Sequence, residues 1–265
     1  MLKRVATAFI LIPLVLALVL FAPRVLILAV VLVLTFIALL EYNKLTALIY
    51  SGGGQGVFAA LIGLIFTFCV YFTGLALSSA LLIAALFIFL FMALAGAPDM
   101  RSAVQEAVFK TAGLIYISLP LSYFILLADA PQGRLWILFF LIVIWCNDSL
   151  AYVFGRAFGS HKLCPSISPG KTIEGALGGI GSGIVAALVF NAAAPLTGYG
   201  AVILLALITG CLGIMGDLFE SILKRGAGVK DSGTILPGHG GILDRIDSLL
   251  FSLPVIYILV ISLKI

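Results

Sequence analysis

Acidic side chains are scarce in this sequence, and five of its aspartates lie in the second half. The chain has 265 residues and only 11 Asp and Glu. Asp217 and Glu220 are three residues apart, and Asp244 and Asp247 repeat that spacing. On a helix, this spacing places the two members of a pair on one face. The five aspartates are Asp148, Asp217, Asp231, Asp244 and Asp247, and Glu174 lies near the same regions.

Basic residues and glycines surround these acids, and the combination is typical of phosphate chemistry. The basic residues are Lys224, Arg225, Lys230 and Arg245. Clustered carboxylates bind Mg²⁺ together with substrate phosphate oxygens, while Lys and Arg bind the phosphates themselves. Glycines at 238, 240 and 241 would let the backbone approach a bulky polyanion closely. The residues alone predict metal-dependent phosphoryl or nucleotidyl transfer, and they leave the nucleotide and the acceptor open.

Helix capping is the alternative explanation for each acid taken singly. Asp244 and Asp247 would suit the first turn of a helix, where carboxylates complement the positive helix end. The acids and basic residues taken together favour a site. His239 is a candidate base or metal ligand, although a lone His more often has a structural role or donates a hydrogen bond. No Ser–His–Asp or Cys–His arrangement can be recognised from the spacing.

Two glycine-containing phosphate motifs can be rejected. Gly170-Lys171-Thr172 resembles the end of a Walker A loop, but Pro165 occupies the position that requires Gly. The segment 181–186 resembles a dinucleotide fingerprint, but no strand precedes it. Small residues at four-residue spacing let membrane helices approach closely. We therefore predict a helix-packing ridge formed by Gly175, Gly179 and Gly183.

The composition is that of an integral membrane protein. Hydrophobic residues make up 63% of the chain and charged residues 10%, with a mean hydropathy of +1.29. Soluble domains average about 25% charged residues. A chain this apolar could not cover its surface in water. We predict an all-α integral membrane protein with about nine transmembrane helices in one bundle.

The apolar runs define the candidate spans. A helix crosses about 30 Å of hydrocarbon with about 20 residues. Several runs are shorter than this, so counts of eight or ten are also open. The nine candidates are Val5–Phe21, Val25–Leu40, Val57–Phe72, Leu75–Ala95, Thr111–Ala128, Leu135–Ala151, Ala176–Phe190, Ala201–Leu218 and Ile246–Leu263.

Basic residues orient this arrangement with a cytoplasmic N-terminus and an outer C-terminus. An excess of Lys and Arg marks the inner side of a membrane protein. The inner side then holds twelve of the fifteen: Lys3, Arg4, Lys44, Arg101, Lys110, Arg156, Lys162, Lys171, Lys224, Arg225, Lys230 and Arg245. The outer side holds Arg24, Arg134 and Lys264. The net charge of +4 thus reflects topology, and no nucleic-acid partner is expected.

The character of the chain changes near Trp145. Residues 1–144 are predicted to form a transmembrane scaffold without chemistry, including a short surface helix at Asp99–Lys110. Residues 145–265 are predicted to form the catalytic region, with inner loops at about 155–175 and 219–245 on the same face. The apolar run after Arg4 is expected to be an uncleaved first helix rather than a signal peptide. The four isolated cysteines are expected to be packing residues or reduced thiols, not metal ligands.

The stretch from Ser221 to Asp247 resembles the signature of the phosphatidate cytidylyltransferase (CDP-diacylglycerol synthase) family. It reads SILKRGAGVKDSGTILPGHGGILDRID. The positions that match the signature are Ser221, Lys224, Arg225, Lys230, Asp231, His239, Gly240, Gly241, Asp244, Arg245 and Asp247. Residues 148–156 and 168–175 also resemble the family, with Gly170 where many relatives carry a second Lys. The first half resembles it only as an apolar multi-span region.

The resemblance implies transfer of CMP from CTP to phosphatidic acid, with Mg²⁺, giving CDP-diacylglycerol and pyrophosphate. It assigns the metal to Asp217 and Asp244, with Asp247 assisting, and it implies a homodimer. Asp247 and Asp231 would hold metal waters or orient basic groups, and Lys171 and Arg156 would hold the lipid phosphate. The triphosphate and pyrophosphate would be neutralised by Lys224, Arg225, Lys230 and Arg245. The other expected substrate contacts are Ser221, His239, Gly240 and Gly241.

Three other functions are alternatives to this one. An ion-coupled transporter places its site near the membrane midplane between inverted repeats, whereas these acids lie at inner helix ends. The CDP-alcohol phosphotransferase pattern is absent from the sequence. A cytidylyltransferase for a different lipid phosphate stays open, because the apolar spans determine lipid selectivity. We expect a bacterial-type inner membrane protein with its active site on the cytoplasmic face.

Overall fold

The computed structural model of the chain describes residues 2–50, 56–96, 99–235 and 240–262, with side chains from residue 12 onward except at residue 96. Within these ranges the chain is almost entirely helical. The helices are α1 (Leu2–Phe21), α2 (Arg24–Tyr50), α3 (Gly56–Gly96), α4 (Met100–Gly113), α5 (Leu119–Ala128), α6 (Gly133–Phe158), α7 (Ile173–Ala193), α8 (Tyr199–Gly226) and α9 (Leu243–Ser262). A π-helical turn, Leu114–Ser118, joins α4 to α5, and two short strands are β1 (Lys162–Cys164) and β2 (Ser168–Thr172).

The helices agree with the predicted all-α membrane class. In the part of the chain that is described, seven helical segments are long and apolar enough to cross a membrane. They are Arg24–Tyr50, Gly56–Ala95, Met100–Ala128, Gly133–Phe158, Ile173–Ala193, Tyr199–Gly226 and Leu243–Ser262, and a shorter apolar helix covers Ile12–Phe21. The count of nine and the side of the N-terminus stay predictions.

Helix α3 covers two of the predicted spans. Its apolar stretch of 40 residues is about 60 Å long at 1.5 Å per residue, roughly twice the hydrocarbon thickness. Gly74 interrupts it with φ 71° and ψ −176°, a conformation that glycine adopts without steric cost. The interruption falls between Phe72 and Leu75, where the two predicted spans meet.

Helix α4 corrects the prediction of a separate surface helix at Asp99–Lys110. Asp99 does begin the helix, because its side chain accepts hydrogen bonds from the Ser102 backbone N–H (2.9 Å) and hydroxyl (2.8 Å). These bonds hold the pKa of Asp99 below its usual range. The helix then continues through the π-helical turn into α5 without a break. Lys110 is buried and pairs with Glu106 one turn earlier. Because these two charges neutralise each other within the helix, the helix can continue past them.

The chain forms two compact units. The first unit comprises Met1–Leu126 and Leu223–Ile246, and the second comprises Leu127–Ile222 and Asp247–Ile265. The functional division predicted between residues 144 and 145 stays a prediction. The compact units follow a different division, because residues 223–246 group with the N-terminal part of the chain.

The core of the first unit lies among α2, α3, α4 and the π-helical turn. Leu39 and Tyr42 of α2 and Leu114 of the turn are buried. The ring of Tyr42 lies 6.0 Å from that of Tyr116, centroid to centroid. Burial of these apolar side chains stabilises the packing of α2 that places Glu41, discussed below.

The core of the second unit includes a close pairing of α6 and α7. The predicted glycine ridge faces α6, where a Cβ on Gly175 would lie 2.7 Å from the Ala151 carbonyl oxygen. A Cβ on Gly179 would lie 2.7 Å from the Asn147 carbonyl oxygen. Val143 lies opposite Gly183. The packing role predicted for the ridge is confirmed.

Gly179→Ala is expected to destabilise the folded protein by about 1–3 kcal/mol, the usual cost of overpacking. The added methyl group would meet backbone atoms of α6, which cannot move aside without separating the helices. Thermal denaturation in detergent measures the effect. Gly181→Ala, two residues away, is the matched control, because its Cβ would meet nothing within 4 Å. Equal losses in the two variants would contradict the ridge.

Candidate active site

The residues predicted to carry chemistry fall into both units, and each unit is described by itself. The first unit holds Lys224, Arg225, Lys230, Asp231, Gly240, Gly241, Asp244 and Arg245. The second holds Arg156, Lys171, Asp217, Ser221 and Asp247. His239 lies outside the described residues, and its predicted role stays a prediction.

Asp244 is the centre of the first-unit cluster, which comprises Glu41, Lys224, Ser232, Gly241 and Asp244. The carboxylate lies in the first turn of α9. One oxygen, Oδ1, accepts from Lys224 Nζ at 2.6 Å. The other, Oδ2, accepts from the Ser232 N–H and hydroxyl at 2.9 and 2.8 Å and from the Gly241 N–H at 2.8 Å. The side chains of Asp244 and Lys224 are only 6% and 13% exposed, so this ion pair is largely shielded from solvent.

The glycines before α9 fit around this carboxylate. Gly240 has φ +79°, and a Cβ there would lie 2.6 Å from Asp244 Oδ2. A Cβ on Gly241 would lie 2.3 Å from the Ser232 hydroxyl. We predicted that these glycines admit a polyanion, and that role stays a prediction. The structure supplies an independent reason for them, because internal acidic and hydroxyl groups occupy the space that side chains would need.

Glu41 also belongs to this cluster, although it is not among the site residues predicted from the sequence. It lies in α2 and is 3% exposed. Its carboxylate accepts from the backbone N–H groups of Ile242 (3.1 Å) and Leu243 (2.8 Å) and from the Ser232 hydroxyl (3.4 Å). The N-terminal half was predicted to be scaffold without chemistry. The available signal was a glutamate inside an apolar helix, which is costly in a membrane and typically functional.

The remaining charged residues of the signature in the first unit are on the surface. Arg225, Lys230, Asp231 and Arg245 are exposed. Asp231 lies beside Gly240, whose Cβ would be 3.5 Å from that of Asp231. Exposed guanidinium and ammonium groups are suited to binding phosphate oxygens.

A β-hairpin in the second unit places Lys171. Strands β1 and β2 pair antiparallel, with Lys162 opposite Thr172 and Cys164 opposite Ser168. Thr172 begins α7 by accepting a hydrogen bond from the Gly175 N–H at 3.1 Å. The sequence predicts a loop at about 155–175, whereas the structure places this hairpin within that range. The strands are too short and too rich in Pro and Gly to show a strand pattern in the sequence. The hairpin fixes Lys171 directly before the helix.

Lys171 and Asp217 form an ion pair, and with Asp148 they make up the second-unit cluster. Lys171 Nζ lies 2.8 Å from Asp217 Oδ2, with side chains 25% and 38% exposed. Ser221, one turn along α8, lies with its hydroxyl 3.4 Å from Asp217 Oδ1. Asp148 interacts electrostatically with both Asp217 and Lys171, and its oxygens accept from Asn147 (3.1 Å) and Ser248 (3.3 Å). The predicted site residues Lys171, Asp217 and Ser221 are thus brought together here.

Asp247 and Arg156 differ in their surroundings. Asp247 is buried, and its Oδ1 accepts from the Ser248 N–H at 2.8 Å. Helices α8 and α9 approach so closely there that a Cβ on Gly216 would lie 2.3 Å from the Asp247 carbonyl oxygen. Arg156 is exposed near the end of α6. The predicted metal role of Asp247 and lipid-phosphate role of Arg156 stay predictions.

The donor chemistry suits Mg²⁺ bound through few protein ligands. Among the described residues, no group of three or more His, Cys, Asp and Glu is arranged to hold a metal ion. Mg²⁺ in phosphate-transferring enzymes usually takes one or two carboxylates, with waters and substrate oxygens completing the shell. The partly exposed carboxylates of Asp148 and Asp217 have the required donor type. The assignment of Mg²⁺ to Asp217, Asp244 and Asp247 stays a prediction.

Comparisons with known proteins agree with the signature. The model of the Cytidylyltransferase family matches residues 2–263. The chain is similar to the phosphatidate cytidylyltransferases of Bacillus subtilis (strain 168), 47% identical over 157 residues, and of Staphylococcus epidermidis (strain RP62A), 44% identical over 163 residues. These alignments cover 58% and 61% of this chain, and 58% and 62% of the relatives' own lengths. Since the family match runs through almost the whole sequence, the chain belongs to the cytidylyltransferase family.

Proposed function

We propose that this protein transfers CMP from CTP to phosphatidic acid, giving CDP-diacylglycerol and pyrophosphate in phospholipid biosynthesis. Its family membership and the name carried by its relatives support this function. The observation that carries the proposal furthest is the bonding around Asp244. There, two signature residues 20 positions apart, Lys224 and Asp244, are joined by a hydrogen bond of 2.6 Å. Such internal order is expected of a segment that must present charged groups to a substrate.

The chemistry needs positioning and charge neutralisation more than a base. A phosphomonoester has its second pKa near 6, so phosphatidic acid is mostly dianionic at neutral pH. Its phosphate oxygen can attack the α-phosphorus of CTP directly, and pyrophosphate leaves. The main barrier is repulsion between anions, which fixed cationic groups lower.

Each basic group has a proposed task. Lys224, with the exposed Arg225, Lys230 and Arg245, would neutralise the triphosphate and the leaving pyrophosphate. Lys171 and Arg156 would hold the lipid phosphate. Asp217, Asp244 and Asp247 would hold Mg²⁺, which supplies positive charge to phosphate oxygens when bound. Asp231 would orient the basic groups around it.

The setting of the enzyme is part of the proposal. Phosphatidic acid lies in the membrane leaflet, while CTP arrives from the cytoplasm. A bacterial inner membrane protein with its site on the cytoplasmic face can reach both substrates. Nine spans, a cytoplasmic N-terminus and a homodimeric assembly complete the proposed arrangement.

The purified protein in detergent is expected to transfer label from radiolabelled CTP into lipid when phosphatidic acid and Mg²⁺ are present. EDTA is expected to abolish the transfer, and added Mg²⁺ to restore it. The measurement is label in the extracted lipid phase. Label with an isoprenoid-ether lipid phosphate, and none with phosphatidic acid, would keep the chemistry and change the substrate. No label with any lipid phosphate, from folded protein, would contradict the proposed function.

A further inference from the structure

We infer that Glu41, in the N-terminal half, is a positioning residue for the reaction, and this inference rests on the proposed function. Its carboxylate accepts the backbone N–H groups of Ile242 and Leu243, which open helix α9. Asp244 follows directly in the first turn of that helix. Glu41 thus binds the first residues of α9, and the residue that follows them, Asp244, is the centre of the first-unit cluster.

The burial of Glu41 indicates that the side chain has a specific task. A carboxylate inside a membrane helix costs roughly 2.5–3.5 kcal/mol on insertion scales. At 3% exposure, Glu41 offsets that cost only through its hydrogen bonds and the positive end of α9. A packing role would be filled by Leu or Met of similar size without that cost.

Two glycines lie so close to this carboxylate that a side chain at either position would collide with it. A Cβ on Gly233 would lie 2.3 Å from Glu41 Oε1, and a Cβ on Gly241 would lie 2.5 Å from both carboxylate oxygens. Gly233 has no left-handed backbone conformation to explain it. The absence of a side chain at both positions therefore makes room for the Glu41 side chain. This observation is independent of the hydrogen bonds that Glu41 accepts.

Glu41 and Asp244 are linked through shared neighbours. The Ser232 hydroxyl lies 3.4 Å from Glu41 Oε2 and 2.8 Å from Asp244 Oδ2. Gly241 donates its N–H to Asp244, and a Cβ on Gly241 would lie 2.5 Å from both Glu41 carboxylate oxygens. Movement of Glu41 would move the groups that hold the Asp244 carboxylate. We expect its loss to misplace Asp244 and Lys224, and therefore to lower kcat more than it raises the KM for either substrate.

Glu41→Gln is the test, measured by steady-state kinetics and by amide hydrogen exchange in detergent. The amide NH₂ of Gln cannot accept from the N–H groups that the lost oxygen held. We expect kcat to fall by about 10–100-fold, the range found when supporting residues of a site are removed, with a smaller rise in KM for CTP and with KM for phosphatidic acid unchanged. Exchange at residues 240–243 is expected to become faster. Glu41→Asp, which keeps the charge, is expected to recover part of kcat.

Glu106→Gln is the matched control, since it makes the same change in the same unit beside a buried Lys110. It is expected to lower the melting temperature while leaving kcat and the exchange at residues 240–243 at wild-type values. If Glu41→Gln behaves like this control, or speeds exchange with kcat unchanged, Glu41 is only structural and the inference is wrong. If wild-type protein makes no CDP-lipid, the proposed function fails. The exchange data would then still decide whether Glu41 orders the start of α9. If Glu41→Gln does not fold, Glu41→Asp carries the test, and a wild-type kcat in that variant overturns the inference.

Discussion

Asp244→Asn is expected to lower turnover by roughly 100-fold or more and to destabilise the protein. Asp244 accepts four hydrogen bonds through its two oxygens, one of them from the Lys224 ammonium. An Asn amide keeps one accepting oxygen and turns an NH₂ group toward donors. Removing one partner of a shielded ion pair costs about 3–5 kcal/mol, and here the Lys224 ammonium would lose the charge of Asp244. CMP transfer and thermal denaturation in detergent measure the two effects.

A second variant separates the structural effect from the catalytic one. Lys224→Met/Asp244→Asn removes the buried ammonium together with the carboxylate, so stability is expected to return in part while turnover stays low. Asp99→Asn is the matched control in the same unit, because Asn caps a helix about as well as Asp. Wild-type turnover in folded Asp244→Asn would show that this carboxylate has no part in the reaction.

The membrane class and the chemically active stretches are predictable from this sequence because charge is rare in it. In a chain with 10% charged residues, each acid inside an apolar run is costly to insert into a membrane. Such an acid is therefore expected to have a bonding partner or a functional role. Asp217 and Asp244 are predictable in this way, Lys224 from the signature, and Lys171 from the resemblance of residues 168–175 to the family. The glycine ridge was predictable for a similar reason, since four-residue spacing on a helix defines one face.

The pairing of these groups was not predictable, because it depends on tertiary contacts. Glu41 lies 202 residues from Leu243 in the chain, and no local pattern connects them. The hydrogen bonds that Asp244 accepts from Lys224 and Ser232 join residues 20 and 12 positions away, and the metal role predicted for Asp244 stays a prediction. The β-hairpin at 162–172 has too few residues to show alternation. Gly74 interrupts α3 between two expected spans, and apolar composition does not determine the backbone angles at that glycine.

For Asp217, unlike Asp244, we expect the substitution to affect turnover much more than stability. Asp217 is 38% exposed and pairs with a Lys171 that is 25% exposed, although the Lys171 ammonium nitrogen itself is buried. The Asp244–Lys224 pair is more deeply shielded, with side chains 6% and 13% exposed. Since the cost of breaking an ion pair rises with its burial, we expect Asp217→Asn to lower the melting temperature less than Asp244→Asn does. If the carboxylate holds Mg²⁺ as proposed, turnover is expected to fall by roughly 100-fold or more.

The experiment compares Asp217→Asn with Lys171→Met and with Asp129→Asn, an exposed aspartate of the same unit that serves as control. CMP transfer is measured as a function of Mg²⁺ and of phosphatidic acid. A metal role predicts that Asp217→Asn needs more Mg²⁺ for half-maximal activity, whereas a lipid-phosphate role predicts that Lys171→Met raises KM for phosphatidic acid. If Asp217→Asn instead changes only KM for the lipid, then Asp217 acts by orienting Lys171. The second-unit cluster would in that case be a lipid-phosphate site and not a metal site.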